Sequence, residues 1–85
     1  MPLTRGQIVR SLAGRDQGSW LVVLETKDDG ALVVDGKSRP IERPKFKKAK
    51  HLAATNRTLD EPSLTTNRSV IHALRDATGT VGGEN

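Results

Sequence analysis

The chain contains no cysteine and no tyrosine, and it has one tryptophan and one phenylalanine among its 85 residues. The absence of cysteine excludes a disulfide, a thiolate nucleophile and a cysteine-ligated zinc site. The longest unbroken apolar run is residues 20–24, far shorter than the ~20 residues that cross a bilayer, and the N-terminus lacks the apolar core of a secretory signal. We therefore expect a soluble, cytoplasmic protein with no membrane partner.

Positive charge is concentrated in the middle of the chain. Residues 37–57 carry eight basic side chains against Glu42 alone, a net charge of +7, whereas the segments before and after them carry −1 and −2. Such a concentration favours a polyanionic partner over an ordinary solvated loop. Binding to an anionic membrane would call for an amphipathic basic helix, which Pro40 and Pro44 interrupt. A polyanion other than a membrane surface is therefore the favoured partner.

Strand signals dominate the first half of the chain. Short apolar, β-branched runs at residues 7–13, 20–26 and 31–34 are separated by segments rich in glycine and aspartate, a pattern typical of short strands joined by tight turns. Residues 20–24 are apolar at every position, which predicts a central strand that is covered on both faces.

The basic segment is harder to assign. Residues 39–43 are predicted as a fourth strand at a sheet edge, because Pro40 has no N–H to donate to a ladder. Self-repulsion among the lysines of residues 45–50 favours an exposed loop there. Residues 51–55 are predicted as a fifth strand that closes a small barrel.

A helix is predicted after a polar segment near the C-terminus. Val70, Ile71, Leu74 and Ala77 fall on one helical face. Thr66 or Asn67 is expected to cap the helix, and Gly79 to end it. About three turns of helix are marginal alone, so this apolar face must pack either on the same chain or on a partner.

These signals predict a mainly β fold, a small five-stranded β-barrel with a short C-terminal α-helix. The expected organisation is a barrel with a basic loop over residues 1–56, a linker over 57–65, the helix over 66–78 and a disordered tail over 79–85.

Several segments in order resemble KOW-domain RNA-binding proteins, small bacterial members in particular, and the e-type fourteenth large-subunit ribosomal protein family of archaea and eukaryotes. The resemblance covers roughly residues 5–56. It rests on the Gly6-Gln7-Ile8-Val9 opening, Ser11-x-Ala13-Gly14-Arg15-Asp16-x-Gly18, Leu32-Val33-Val34-Asp35-Gly36 and Pro44-Lys45-x-Lys47-x-x-Lys50-His51-Leu52. It implies a five-stranded barrel of the Src-homology type that binds RNA through the motif's loop and neighbouring basic segments.

The resemblance also suggests which residues contact RNA. The KOW loop would be formed by Gly14, Asp16 and Gly18, with Asp16 folding back to cap the turn. The expected RNA contacts are Arg15, Lys37, Arg39, Arg43, Lys45, Lys47, Lys48, Lys50 and His51. The expected partner is ribosomal RNA or another structured RNA, with the ribosome as a candidate assembly, and the free protein is expected to be a monomer.

With so few aromatic residues, stacking of several splayed bases is disfavoured, and recognition of the phosphate backbone and of RNA shape is expected. Trp20 is interpreted as a core or barrel-lip residue, whereas Phe46 could either stack on a base or anchor its segment to the barrel. His51 and His72 lie in separate segments with no recognised ligand spacing, so no enzyme, metal site or cofactor is expected. The alternative function is a protein-interaction adaptor that uses the barrel and the apolar face of the helix.

Overall fold

The computed structural model describes residues 3–79, which form five antiparallel strands in one sheet and one C-terminal α-helix. This architecture confirms the predicted mainly β class. The elements are β1 (Gln7–Ser11), β2 (Trp20–Lys27), β3 (Gly30–Val34), β4 (Lys45–Lys48), β5 (Leu52–Thr58) and α1 (Asn67–Thr78), with short 3₁₀ helices at Ala49–His51 and Glu61–Leu64.

The strands are ordered β4-β3-β2-β1-β5, so consecutive strands β4 and β5 occupy opposite ends of the sheet. A single 3₁₀ turn, Ala49–His51, joins them. The four residue steps from Lys48, the end of β4, to Leu52, the start of β5, span at most about 14 Å. The edges of a flat five-stranded sheet lie about 19 Å apart. The sheet must therefore curl at this corner, where the N–H of Leu12 donates to the carbonyl of His51 at 2.8 Å.

The curled sheet has an apolar cluster on each face. Alternation along β2 sends Leu21 and Val23 to the inner cluster and Val22 to the outer one, as expected for a strand with period-two side chains. The inner cluster is Val9, Leu21, Val23, Ala31, Val33 and Leu52. The outer cluster is Ile8, Val22, Val34, Leu64, Val70 and Leu74. The prediction of a central strand covered on both faces is confirmed.

The α-helix packs on the outer face of its own sheet, where Val70 and Leu74 are buried in the outer cluster. Both predicted ends are confirmed. The hydroxyl of Thr66 accepts a hydrogen bond from the N–H of Ser69 at 3.0 Å, and Gly79 follows the last turn with its N–H on the carbonyl of Arg75. The helix therefore docks within the chain.

The predicted fourth strand is wrong. Residues 39–43 form no strand, and β4 is instead Lys45–Lys48, inside the predicted exposed loop. Pairing of β4 with β3 places Lys47 opposite Ala31 and Phe46 opposite Leu32. The pleat separates the neighbouring lysines onto two faces, and lysine is well tolerated on an edge strand. Charge repulsion therefore does not prevent the strand.

The segment predicted as a linker, residues 57–65, contains the end of β5 and the second 3₁₀ helix. Asp60 caps that 3₁₀ helix, and Leu64 is buried in the outer cluster. The predicted tail lies, apart from Gly79, outside the described residues. No helix within residues 3–79 is long and apolar enough to cross a membrane.

Candidate functional site

The connection between β1 and β2 is a compact loop that contains the predicted KOW glycines. Gly14 and Gly18 have φ angles of +87° and +89°, which side chains with a Cβ rarely adopt. The N–H of Gly18 donates to the carbonyl of Ser11 at 2.7 Å, and the N–H of Gln17 donates to the carbonyl of Gly14 at 3.2 Å. The two glycines therefore allow the loop to close on the end of β1.

Replacing Gly18 by valine is expected to lower the free energy of unfolding by about 1–3 kcal/mol, because a β-branched residue is strained at positive φ. Apart from the residues next to Gly18 in the chain, no described atom lies within 4 Å of the added Cβ, so no clash of that atom adds to the backbone strain. Chemical denaturation measures it. The matched control is Gln17→Val at the neighbouring exposed position, and equal stability of the two variants would contradict this interpretation of the loop.

Lys47 and Asp16 connect this loop to β4 through a buried ion pair. The Lys47 ammonium donates to Asp16 Oδ1 at 2.8 Å, to the carbonyl of Ala13 at 2.7 Å and to Ser11 Oγ at 3.1 Å. The two charged side chains are 7% and 13% exposed. Lys47, expected among the RNA contacts, is therefore turned inward, with all three ammonium protons already bonded.

Asp16 is surrounded by cationic and hydrogen-bonding groups. Burial raises the pKa of Asp16, but the hydrogen bond and charge of Lys47, together with the Ser11 hydroxyl, outweigh it and hold the pKa below its ordinary value. Arg39 Nε lies 3.6 Å from the second carboxylate oxygen. Because the pKa is lowered, the ionised carboxylate stabilises the fold above its ordinary pKa of 3.8, and this contribution is lost as the pH falls through the lowered value. Asp16 therefore fixes the loop from inside.

The remaining cations of β4 and the turn after it face solvent. Lys45, Lys48 and Lys50 are exposed, and none of them forms an ion pair with another residue in the described part of the chain. His51 is half-buried in the same turn. These lysines form a cluster of free positive charge, which we call the β4 cluster: Lys45, Lys48 and Lys50.

Two further predicted residues meet across a cleft of about 340 Å³. Arg15, which is exposed, and Arg39, which is half-buried beside Asp16, both line it. Lys37 and Arg43 are exposed on the connection between β3 and β4. Neither lines this cleft, although the backbone N–H of Lys37 donates to Oδ1 of the cleft residue Asp35 at 2.8 Å. The cleft is lined by Arg15, Asp16, Ser19, Asp35, Ser38 and Arg39.

Arg10 was not among the predicted contacts, yet it lies beside the loop. Its Nε donates to the carbonyl of Gly18 at 3.2 Å, and its guanidinium carbon lies 5.3 Å from the centroid of Trp20. Its charge was the available signal, because Arg10 is the charged residue of β1 and its exposed position. Trp20 is half-buried against the outer cluster, which confirms its interpretation as a core or lip residue.

Phe46 contacts the sheet and is also partly exposed to solvent. The tip of its ring lies over Gly30, where an added Cβ would be 2.9 Å from Phe46 Cζ. The residue nevertheless remains 40% exposed.

Within residues 3–79, no group of three or more histidine, cysteine or acidic side chains could hold a metal ion.

A scan against protein-family models and a search of curated proteins found no match to this chain.

Proposed function

We propose that this chain is a cytoplasmic, non-enzymatic RNA-binding protein of the KOW type, which binds ribosomal RNA or another structured RNA as a monomer. The observation that carries the proposal is the β4 cluster, three exposed lysines on β4 and the turn after it without an acidic partner in the described region. The resemblance in sequence to KOW proteins supports RNA as the polyanion.

The chemistry of binding follows from these charges. Exposed ammonium and guanidinium groups neutralise phosphates and release condensed counter-ions, a contribution that does not depend on base sequence. Lys45, Lys48 and Lys50 supply three such groups, and Arg15 on the β1–β2 loop adds a fourth. Arg39, half-buried on the connection between β3 and β4, adds a fifth. Lys47 does not contact phosphate in this proposal. It positions the KOW loop relative to β4 through Asp16.

The packing of the helix on the sheet disfavours the alternative functions, a protein-interaction adaptor and a membrane-binding protein. Val70 and Leu74 are buried against the sheet, so this apolar face is occupied by the chain itself. An adaptor or membrane-binding role through that face would require the helix to undock. The exposed large apolar side chains of the described region are Leu12 and Phe46, and Phe46 lines a groove together with Lys45 and Lys48.

Replacing Lys45, Lys48 and Lys50 together by glutamine is expected to weaken binding to a fluorescent, fully paired RNA hairpin. Three lost phosphate contacts correspond to about 100-fold in affinity at 0.15 M salt, taking ~0.7–0.9 counter-ions per contact. Fluorescence anisotropy measures the affinity. The control is Arg57→Gln with Arg68→Gln, exposed cations on β5 and α1, whose removal we expect to have little effect.

Sedimentation equilibrium must accompany this comparison, because lysines on an edge strand also discourage strand pairing between molecules. A triple variant that stays monomeric and folded yet binds the hairpin as tightly as the original protein would contradict the proposed function.

A further inference from the structure

An open groove of about 400 Å³ lies beside β4. Three elements contribute to it: the start of the β1–β2 loop, all of β4 and the 3₁₀ turn that follows. Its volume lies within the range of sites for small organic molecules, ~300–1,000 Å³, so it can take one nucleotide unit but no extended run of them. The lining residues are Ala13, Gly14, Lys45, Phe46, Lys47, Lys48 and His51.

The groove combines an aromatic surface with free positive charge. The tip of the Phe46 ring rests over Gly30, which has no side chain, and 40% of the residue is still exposed. Lys45 and Lys48 are exposed and unpaired within the described residues, whereas the charge of Lys47 is neutralised by Asp16. An aromatic face next to free ammonium groups matches a nucleotide, which has a π-face and a phosphate.

Duplex RNA alone would use only part of this surface. The bases of a paired stem are stacked inside it, so its phosphates could engage the lysines while the Phe46 ring stayed without a partner. A base that is not paired can leave the stack and lie on an aromatic side chain. Two rings line the described groove, Phe46 and His51. Phe46 is exposed and His51 is half-buried, so the groove offers one exposed aromatic face, which suits one base.

We propose that this groove binds a single unpaired nucleotide of the RNA, with its base on the Phe46 ring and its phosphate on Lys45 or Lys48. The proposal rests on the proposed RNA-binding function and specifies its ligand as a structured RNA that contains a bulged or looped nucleotide. The lysines provide phosphate affinity, and Phe46 provides the preference for the unpaired position.

The test compares three RNA hairpins with the same stem: one fully paired, one with a single bulged nucleotide, and one with an abasic nucleotide at the bulge. The original protein is expected to bind the bulged hairpin about 5- to 150-fold more tightly than the other two, the range for stacking one base. Phe46→Leu should abolish the preference and leave the salt dependence unchanged, whereas Phe46→Trp should retain it. Leu12→Ala, at the other exposed apolar position, is the matched control and should change neither.

The inference and the function on which it rests fail in different ways. Salt-dependent binding of all three hairpins with equal affinity would overturn the inference and leave the proposed function intact. Persistence of the preference in Phe46→Leu would also overturn it. Absence of binding to every hairpin at 0.1 M salt would overturn both, as would Phe46-dependent binding of an acidic peptide in preference to the RNAs. The abasic comparison needs no variant, so the test holds even if Phe46→Leu fails to fold.

Discussion

Replacing Lys47 by methionine is expected to lower the free energy of unfolding by about 3 kcal/mol, near the lower end of the ~3–5 kcal/mol typical when one partner of a buried ion pair is removed. Asp16 would be left 13% exposed without its closest cation, and the Ala13 carbonyl would lose a donor. Arg39, 3.6 Å from the carboxylate, moderates the loss. Against a typical total stability of ~5–15 kcal/mol, the change is large.

Lys45→Met is the matched control on the same strand, because Lys45 is exposed and unpaired within residues 3–79. It should alter stability by no more than about 0.5 kcal/mol. Combining Lys47→Met with Asp16→Asn should cost less than the sum of the two single changes, because the pair acts together. Urea denaturation of the four variants measures these energies, and equal stability of Lys47→Met and Lys45→Met would show that the ion pair does not fix the loop.

Replacing Leu74 by alanine is expected to destabilise the protein by about 2–5 kcal/mol, the range for truncating a buried leucine. Leu74 lies in the outer cluster with Val22, Val34 and Val70, so its removal leaves a cavity between the helix and the sheet. Chemical denaturation gives the change in stability, and anisotropy under native conditions gives the RNA affinity. Affinity should be unchanged, because no residue of α1 lines the described groove beside β4 or the cleft of Arg15 and Arg39.

His72→Ala serves as the control for this experiment, since His72 is on the exposed side of the same helix and its loss removes no buried contact. If Leu74→Ala and His72→Ala had the same free energy of unfolding, the helix would not be docked on the sheet in solution. Binding of a partner by its apolar face would then be supported.

The features that the sequence predicted best are those with a repeating apolar pattern. The run from Leu21 to Val23 indicated a strand covered on both faces, and the spacing of Val70 and Leu74 indicated the helix. Thr66 and Gly79 marked its ends because capping chemistry is local. The surface on which the helix packs could not be predicted. The direction of the helix depends on the preceding 3₁₀ helix, whose Leu64 is buried in the same cluster.

The basic segment was predicted less well, because the partner that determines its structure is distant in sequence. Lys47 is a strand residue bonded to Asp16, 31 positions earlier, and a run of lysines gives no sign of such a contact. The repulsion argument that predicted an exposed loop counted Lys47 as a free charge, whereas Asp16 neutralises it. In our proposal Lys47 is therefore a positioning residue. The exposed candidates for RNA contact are Arg15, Lys37, Arg43, Lys45, Lys48 and Lys50, and the half-buried candidates are Arg39 and His51.

The most direct test of phosphate binding by the β4 cluster is the salt dependence of affinity for the fully paired hairpin. If Arg15, Arg39 and the three lysines neutralise about five phosphates, the plot of log affinity against log salt should have a slope of about −3.5 to −4.5. In the triple glutamine variant the slope should flatten to about −1.4 to −1.8, because two contacts remain. A slope near zero in the original protein, or the same slope in both proteins, would contradict the account.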